Sequence, residues 1–122
     1  MGYEFAIEAD IIRCTLSGVV TREELSRIVA TVEDLERGRD PVPHRLTDLT
    51  GVTDLQIGYP DMRALAERRR ASVFATASKS ALVVRTPAQR GMARMFQTLN
   101  DNPQLTVEIF DDAASALRWL RS

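Results

Sequence analysis

Ser80-Ala81-Leu82-Val83-Val84-Arg85-Thr86-Pro87-Ala88-Gln89 is the stretch that decides the fold. Its first half, Ser80 to Val84, is nearly all apolar, as a central strand covered on both faces requires. Its second half is a helix start: Thr86 can cap, Pro87 suits the first helical position, and Gln89 three residues on can close a capping box. Met92, Met95, Phe96 and Leu99 follow at the spacing of a buried helical stripe, and Asn100 to Pro103 stop it. A buried strand running straight into a helix is the repeating unit of a parallel α/β sheet.

The same alternation extends in both directions. Downstream, Leu105, Val107 and Ile109 alternate with polar residues in a strand, and Asp111 or Asp112 caps a last helix carrying Ala113, Ala116, Leu117 and Leu120. Upstream, Pro60 opens a helix predicted to run to about Ala75, with Met62, Leu65, Ala66 and Val73 toward the core. Before it lie a short strand around Arg45 to Leu49 and a connection of about ten residues, Thr50 to Tyr59, longer than most βα loops. Val20-Thr21-Arg22-Glu23-Glu24-Leu25 reads as a capping box with a hydrophobic staple, and Leu25, Ile28, Val29, Val32 and Leu35 continue the helix until Gly38 ends it. At the start, Tyr3, Phe5 and Ile7, then Ile12, Cys14 and Leu16, alternate with exposed-type residues about a turn at Ala9-Asp10. The predicted order is β-β-α-β-α-β-α-β-α: a mainly parallel sheet of about five strands with an antiparallel N-terminal edge strand and four helices, one domain over residues 1–122.

Composition excludes several chemistries. One cysteine rules out an intrachain disulfide framework and a multi-thiolate zinc site, and one histidine rules out any site needing two imidazoles. A net charge of −1 gives no general grip on nucleic acid or anionic lipid. The longest apolar run, Ala81 to Val84, falls far short of the roughly 20 residues that span a bilayer. The opening residues lack a secretory signal, so a cytoplasmic protein without membrane insertion is expected. No cofactor is expected, and no phosphate-cradling glycine loop is present to hold the phosphate-bearing substrate of a magnesium site.

Three stretches carry a resemblance: Leu16-Ser17-Gly18-Val19-Val20-Thr21-Arg22-Glu23-Glu24, Thr47-Asp48-Leu49-Thr50-Gly51-Val52-Thr53-Asp54, and the closing Ala-Leu-Arg-Trp-Leu within Ala113 to Leu120. Together they resemble the small bacterial SpoIIAA-like proteins, also described as STAS/SEC14-domain proteins. The resemblance implies a SpoIIAA-like (STAS-like) α/β fold. Its STAS wing implies an anti-sigma-factor antagonist that binds a partner kinase and is switched at a serine following an Asp-x-Ser-x-Val segment. Asp48-Leu49-Thr50-Gly51-Val52 is similar to that segment, but Thr53-Asp54-Leu55-Gln56 stands where the phosphorylated serine would follow. Its SEC14 wing implies a lipid-like ligand, although this chain is too short for the helices that enclose one.

A parallel sheet places ligands beyond the carboxyl ends of its strands. There the sequence gathers the candidate ligand- or partner-binding residues Asp48, Thr50, Thr53, Asp54, Leu55, Ile57, Tyr59, Arg85 and Thr86. Arg85, before a helix N-terminus, reads as an anion site or as the ion-pair partner of Asp48, Asp54 or Asp111, the second reading weighing more. Asp48 is expected to order the chain after it by accepting backbone N–H groups, with Asp54 a turn residue. Val52, Leu55, Ile57 and Tyr59 can fold over the core, line a shallow pocket or form a patch for a partner.

His44 falls at the opposite edge, Cys14 reads as a buried hydrophobe, and Arg68-Arg69-Arg70 reads as a solvated helix end. No catalytic or metal-ligating set emerges. The leading expectation is a non-catalytic regulatory module presenting the 50–59 edge to a protein partner. The alternative is a carrier or sensor of a small apolar or lipid-like ligand, and a homodimer could form on the hairpin edge or a bare sheet face.

Overall fold

The structure is a computed structural model and describes residues 2–71, 74 and 76–122. The elements are β1 (Tyr3–Glu8), β2 (Ile11–Thr21), α1 (Arg22–Glu36), β3 (His44–Gln56), α2 (Tyr59–Arg70), β4 (Ser78–Val83), α3 (Pro87–Leu99), β5 (Leu105–Phe110) and α4 (Ala113–Leu120). The order matches the sequence reading. β1 pairs antiparallel with β2, and every other pairing is parallel.

The five strands lie side by side in chain order. Crossovers between consecutive neighbours put α1, α2 and α3 on one face, and α4 packs on the other, against β3, β4 and β5. Because the strand order never reverses, the sheet has no switch point where adjacent loops diverge into a crevice, which weakens the topological ground for a site at that edge. Beneath α1 to α3, Cys14, Leu16, Val20, Ile28 and Val52 form one apolar cluster and Met62, Ala66, Leu82, Ala93 and Phe96 belong to another. Under α4, Ile11, Leu46, Ala81 and Val83 meet Ala116 and Leu120. On β1 and β2, Glu4, Ala6, Glu8, Thr15 and Ser17 remain exposed.

The structure differs from the sequence reading in four places. β3 continues from Leu49 to Gln56, where a loop was expected, and pairs with the second half of β2 out to Thr21↔Gln56. β3 carries an extra residue opposite Thr15 to Ser17 and another opposite Gly18 to Val19, and these two bulges scramble the period-two pattern by which strands are recognised. Gly18 takes φ +70 at the second bulge, a backbone that a side chain would strain.

Helix α2 stops at Arg70, and Phe74 fills the core from beyond its end; Val73 and Ala75 lie outside the described residues. On α3 the fully buried residues are Gln89, Ala93 and Phe96, whereas Met92, Met95 and Leu99 pack at the margin of the core. The box at α1 closes on one side only. Thr21 Oγ1 accepts the Glu24 N–H at 3.2 Å, while Glu24 Oε2 is buried without a partner among the described residues. The α3 box is complete, and Asp112 rather than Asp111 caps α4. No helix among the described residues is long and apolar enough to cross a membrane.

Candidate functional site

Beyond Asp48, β3 has lost β4 as a neighbour and would expose a row of carbonyls on that side. The N-terminus of α3 closes the gap with side chains. Arg85 donates through Nη2 and Nε to the Thr50 carbonyl at 2.9 and 3.3 Å, and Gln89 Nε2 donates to the Val52 carbonyl at 2.9 Å. Gln89 is almost completely buried, and its Oε1 also accepts the Arg85 and Thr86 N–H groups at 2.7 and 3.2 Å. Thr86 Oγ1 in turn accepts the Gln89 N–H. The helix end that was a candidate anion site therefore has these donors occupied by its own capping residues. Arg85 meets a backbone carbonyl and none of the carboxylates weighed for it: Asp111 pairs with Arg90, Asp54 accepts from Gln56, and Asp48 holds Thr50.

Asp48 does what its position predicts. Its Oδ1 accepts the Thr50 N–H at 2.9 Å and the Thr50 hydroxyl at 2.7 Å, fixing β3 where the first bulge begins. Asp48, Thr50, Arg85 and Thr86 are thus brought together, but as structural links. Thr53, Asp54 and Tyr59 face outward, Tyr59 with half its surface exposed. Val52 folds into the core. Leu55 and Ile57, half-buried, line a cavity of about 100 Å³ between the sheet and the three helices. Its other walls include Val20, Leu25, Ile28, Leu65, Met92 and Phe96.

Two arginines, Arg45 and Arg69, also line this cavity, and sequence reasoning missed both. Arg69 is 1% exposed, which overturns the solvated reading of the Arg68 to Arg70 run. Its two terminal nitrogens grip Glu36 at 2.9 and 2.8 Å, and its guanidinium lies over the Phe74 ring, 5.2 Å from the centroid. Arg68 pairs instead with Glu33 and Arg70 with Asp101. Arg45 reaches Glu36 at 3.7 Å and donates to Ser80 Oγ at 3.2 Å. Burial first, and the neighbouring Arg69 second, pull Arg45 down to about 10, so it still carries its charge at neutral pH. A signal existed for each residue. Glu36 follows Val32 by four, Arg69 follows Met62 and Ala66 at helical spacing, and Arg45 shares its strand face with Thr47 and Leu49. All three are charged side chains in apolar phase.

The other scarce groups serve the fold. Cys14 is fully buried, and desolvation pushes its thiol up to about 11 despite Arg45 nearby. His44 Nδ1 accepts the Lys79 N–H at 2.9 Å, and partial burial lowers its pKa below 6.5, with Asp10 opposing and Lys79 assisting.

With this geometry in view, no protein-family model matches the sequence and no curated protein does. Solved structures do match. An uncharacterized protein of the DUF3478 family with a SpoIIAA-like fold, from Shewanella loihica PV-4, aligns at a TM-score of 0.64 and 19% identity, over 97% of this chain and 91% of that one. An anti-sigma factor antagonist from Mycobacterium paratuberculosis aligns at 0.66 and 17%, over 98% and 93%. The chain has a SpoIIAA-like fold, as the resemblance in its sequence implies.

Proposed function

We propose that the chain is a non-catalytic regulatory module, cytoplasmic, that docks a protein partner on the arm formed by the far ends of β2 and β3. One observation carries this reading. Ile7, Val19 and Tyr59 are the large hydrophobic side chains left exposed among the described residues; Val19 lies on the arm, and Tyr59 opens α2 three residues after the arm ends. Val19 stands opposite Asp54 in the ladder, next to exposed Thr53. Exposed apolar groups rimmed by polar ones are the composition of a contact surface. The fold shared with an anti-sigma factor antagonist supports the same class of function.

The test is a photo-crosslinking residue placed at Asp54 or Tyr59, with Glu67 on the exposed side of α2 as control. A discrete adduct from the arm positions, absent from the control and lost on Val19→Ala, supports the module. Equal labelling at all three positions removes it. Self-association through the β1 edge, or through the face of β1 and β2 that α4 leaves bare, is the form this contact takes if the adduct is a second copy of the chain. Light scattering reads that stoichiometry.

The cavity favours a second reading, binding of a small apolar ligand. A 100 Å³ apolar space that Leu55 and Ile57 help to line is on the scale of cavities that admit single-ring molecules, roughly 150 Å³ for benzene. Native mass spectrometry of freshly purified protein reads this directly. A chain that is repeatedly ligand-free, and takes up no small hydrocarbon when offered one, counts against it.

A further inference from the structure

We infer that the cavity beneath α1, α2 and α3 selects a small carboxylate with an apolar tail, its head taken by the buried arginine pair Arg45 and Arg69. The inference rests on the second reading above and adds the chemistry of the ligand.

Charge is the first ground. Arg45, Arg69 and Glu36 form one buried cluster, with Glu36 bonded to Arg69 and 3.7 Å from Arg45. Two guanidiniums share one carboxylate, which leaves one positive charge uncompensated. Cys14 lines the same cavity, but its thiol, raised to about 11, is neutral at pH 7 and offers no counter-charge. The carboxylates nearest in sequence are engaged elsewhere, Glu67 with Arg63 and Asp48 with Thr50, and Glu33, one turn before Glu36, pairs with Arg68. A buried charge without a counter-ion is strongly unfavourable, so an anion entering here gains what the protein itself lacks.

An unused donor is the second ground. Arg69 is 99% buried, its terminal nitrogens are taken by Glu36, and its Nε is buried with no hydrogen-bond partner among the described residues. Buried donors are almost always satisfied, and one that is not, on a residue lining a cavity, marks a place for an acceptor. The lining supplies the third ground. Apart from the arginines and Thr47 it is almost wholly aliphatic, methionine or phenylalanine, the surface that receives a short hydrocarbon or ring. A mainly apolar wall with a few placed polar groups fixes a ligand's orientation, head to the arginines and tail toward Leu55 and Ile57.

The methionines provide the readout. Met62 and Met92 line the cavity and Met95 does not, so methyl-labelled methionine reports occupancy with an internal control. Hexanoate, 1-hexanol and acetate are titrated against the full chain. Hexanoate is expected to shift the Met62 and Met92 methyls, leave Met95 in place, and saturate at about tenfold lower concentration than hexanol, a charged hydrogen bond being the stronger by that order. Acetate, with no tail, should bind more weakly than hexanoate. If none of the three moves either methyl, the ligand reading itself falls. If hexanol binds as well as hexanoate, the cavity takes apolar ligands but the selection for carboxylate is overturned. If acetate matches hexanoate, the site is a simple anion site and the inference is overturned.

Arg45→Gln supplies a variant that keeps the Arg69–Glu36 pair balanced and retains a polar group for Ser80. It should lose the preference for hexanoate and keep hexanol. Retention of the full preference assigns the charge elsewhere and sinks the proposal.

Discussion

From Arg45 to Asp48, β3 has a backbone neighbour on each side, and Arg45 within that stretch joins the buried cluster with Glu36 and Arg69; from Leu49 to Gln56 it has β2 alone, and Arg85 and Gln89 stand in for the missing strand. One half is secured by a two-sided ladder with an ion cluster in its core, the other by a one-sided ladder with amide and guanidinium donors on its free carbonyls. The difference shows that a parallel strand can outrun its neighbour when side chains satisfy the exposed backbone.

The sharpest way to break the first half is Glu36→Ala, which leaves two guanidiniums facing each other in the core. Loss of one partner from a buried ion pair costs on the order of 3–5 kcal/mol. Urea denaturation should read such a loss, whereas Glu33→Ala, on the more exposed pair with Arg68, should cost less than about 1 kcal/mol. Equal effects would mean that the cluster is not the anchor.

The second half breaks at Gln89. Gln89→Ala strands the Val52 carbonyl together with the Arg85 and Thr86 N–H groups, a cost of about 1–3 kcal/mol for buried unsatisfied groups. Amide exchange should quicken from residue 50 to 56 and hold its rate from 44 to 48. A uniform increase along β3 would erase the distinction between its halves.

The two halves also differ in how far the sequence discloses them. Ser80 to Val84, the Thr86 to Gln89 box and the alternating β1, β2 and β5 stretches declare a parallel sheet, because each local preference agrees with the final structure. The arm escapes the same reading because two bulges break the alternation, and because its free edge is satisfied by residues 35 and 37 positions away. Of the candidate residues, Asp48 is legible since its bonds reach only two residues on. The ion cluster is hidden for a different reason. Arg69 sits in a run of three arginines that invites a surface reading, and only its phase with Met62 and Ala66 points inward. Its partner, Glu36, is 33 residues distant, and no local pattern links them.

A third perturbation acts on the first half through pH. His44 starts β3 and receives the Lys79 N–H on Nδ1, a bond that requires an unprotonated nitrogen. Its folded pKa is lowered, so the neutral ring is the stabilised form: the contribution is complete above 6.5, the unfolded value, and is lost as pH falls from 6.5 through the folded value. Stability measured across that window should decline toward acid in the wild type and flatten in His44→Gln, with the arm's exchange rates unchanged in both. A slope that survives the substitution would place its source in another group.

The smallest effect is expected at Arg85, and it separates the two side chains that replace the missing strand. Both donate to carbonyls of the arm, but Arg85 is exposed and Gln89 is buried, so water can take over the bond at Thr50 and cannot at Val52. Arg85→Ala should therefore cost less than about 1 kcal/mol, with no acceleration of exchange comparable to that of Gln89→Ala. If Arg85→Ala loosened the arm as much as Gln89→Ala, burial would not be what decides the strength of the clamp, and the guanidinium's charge would have to be.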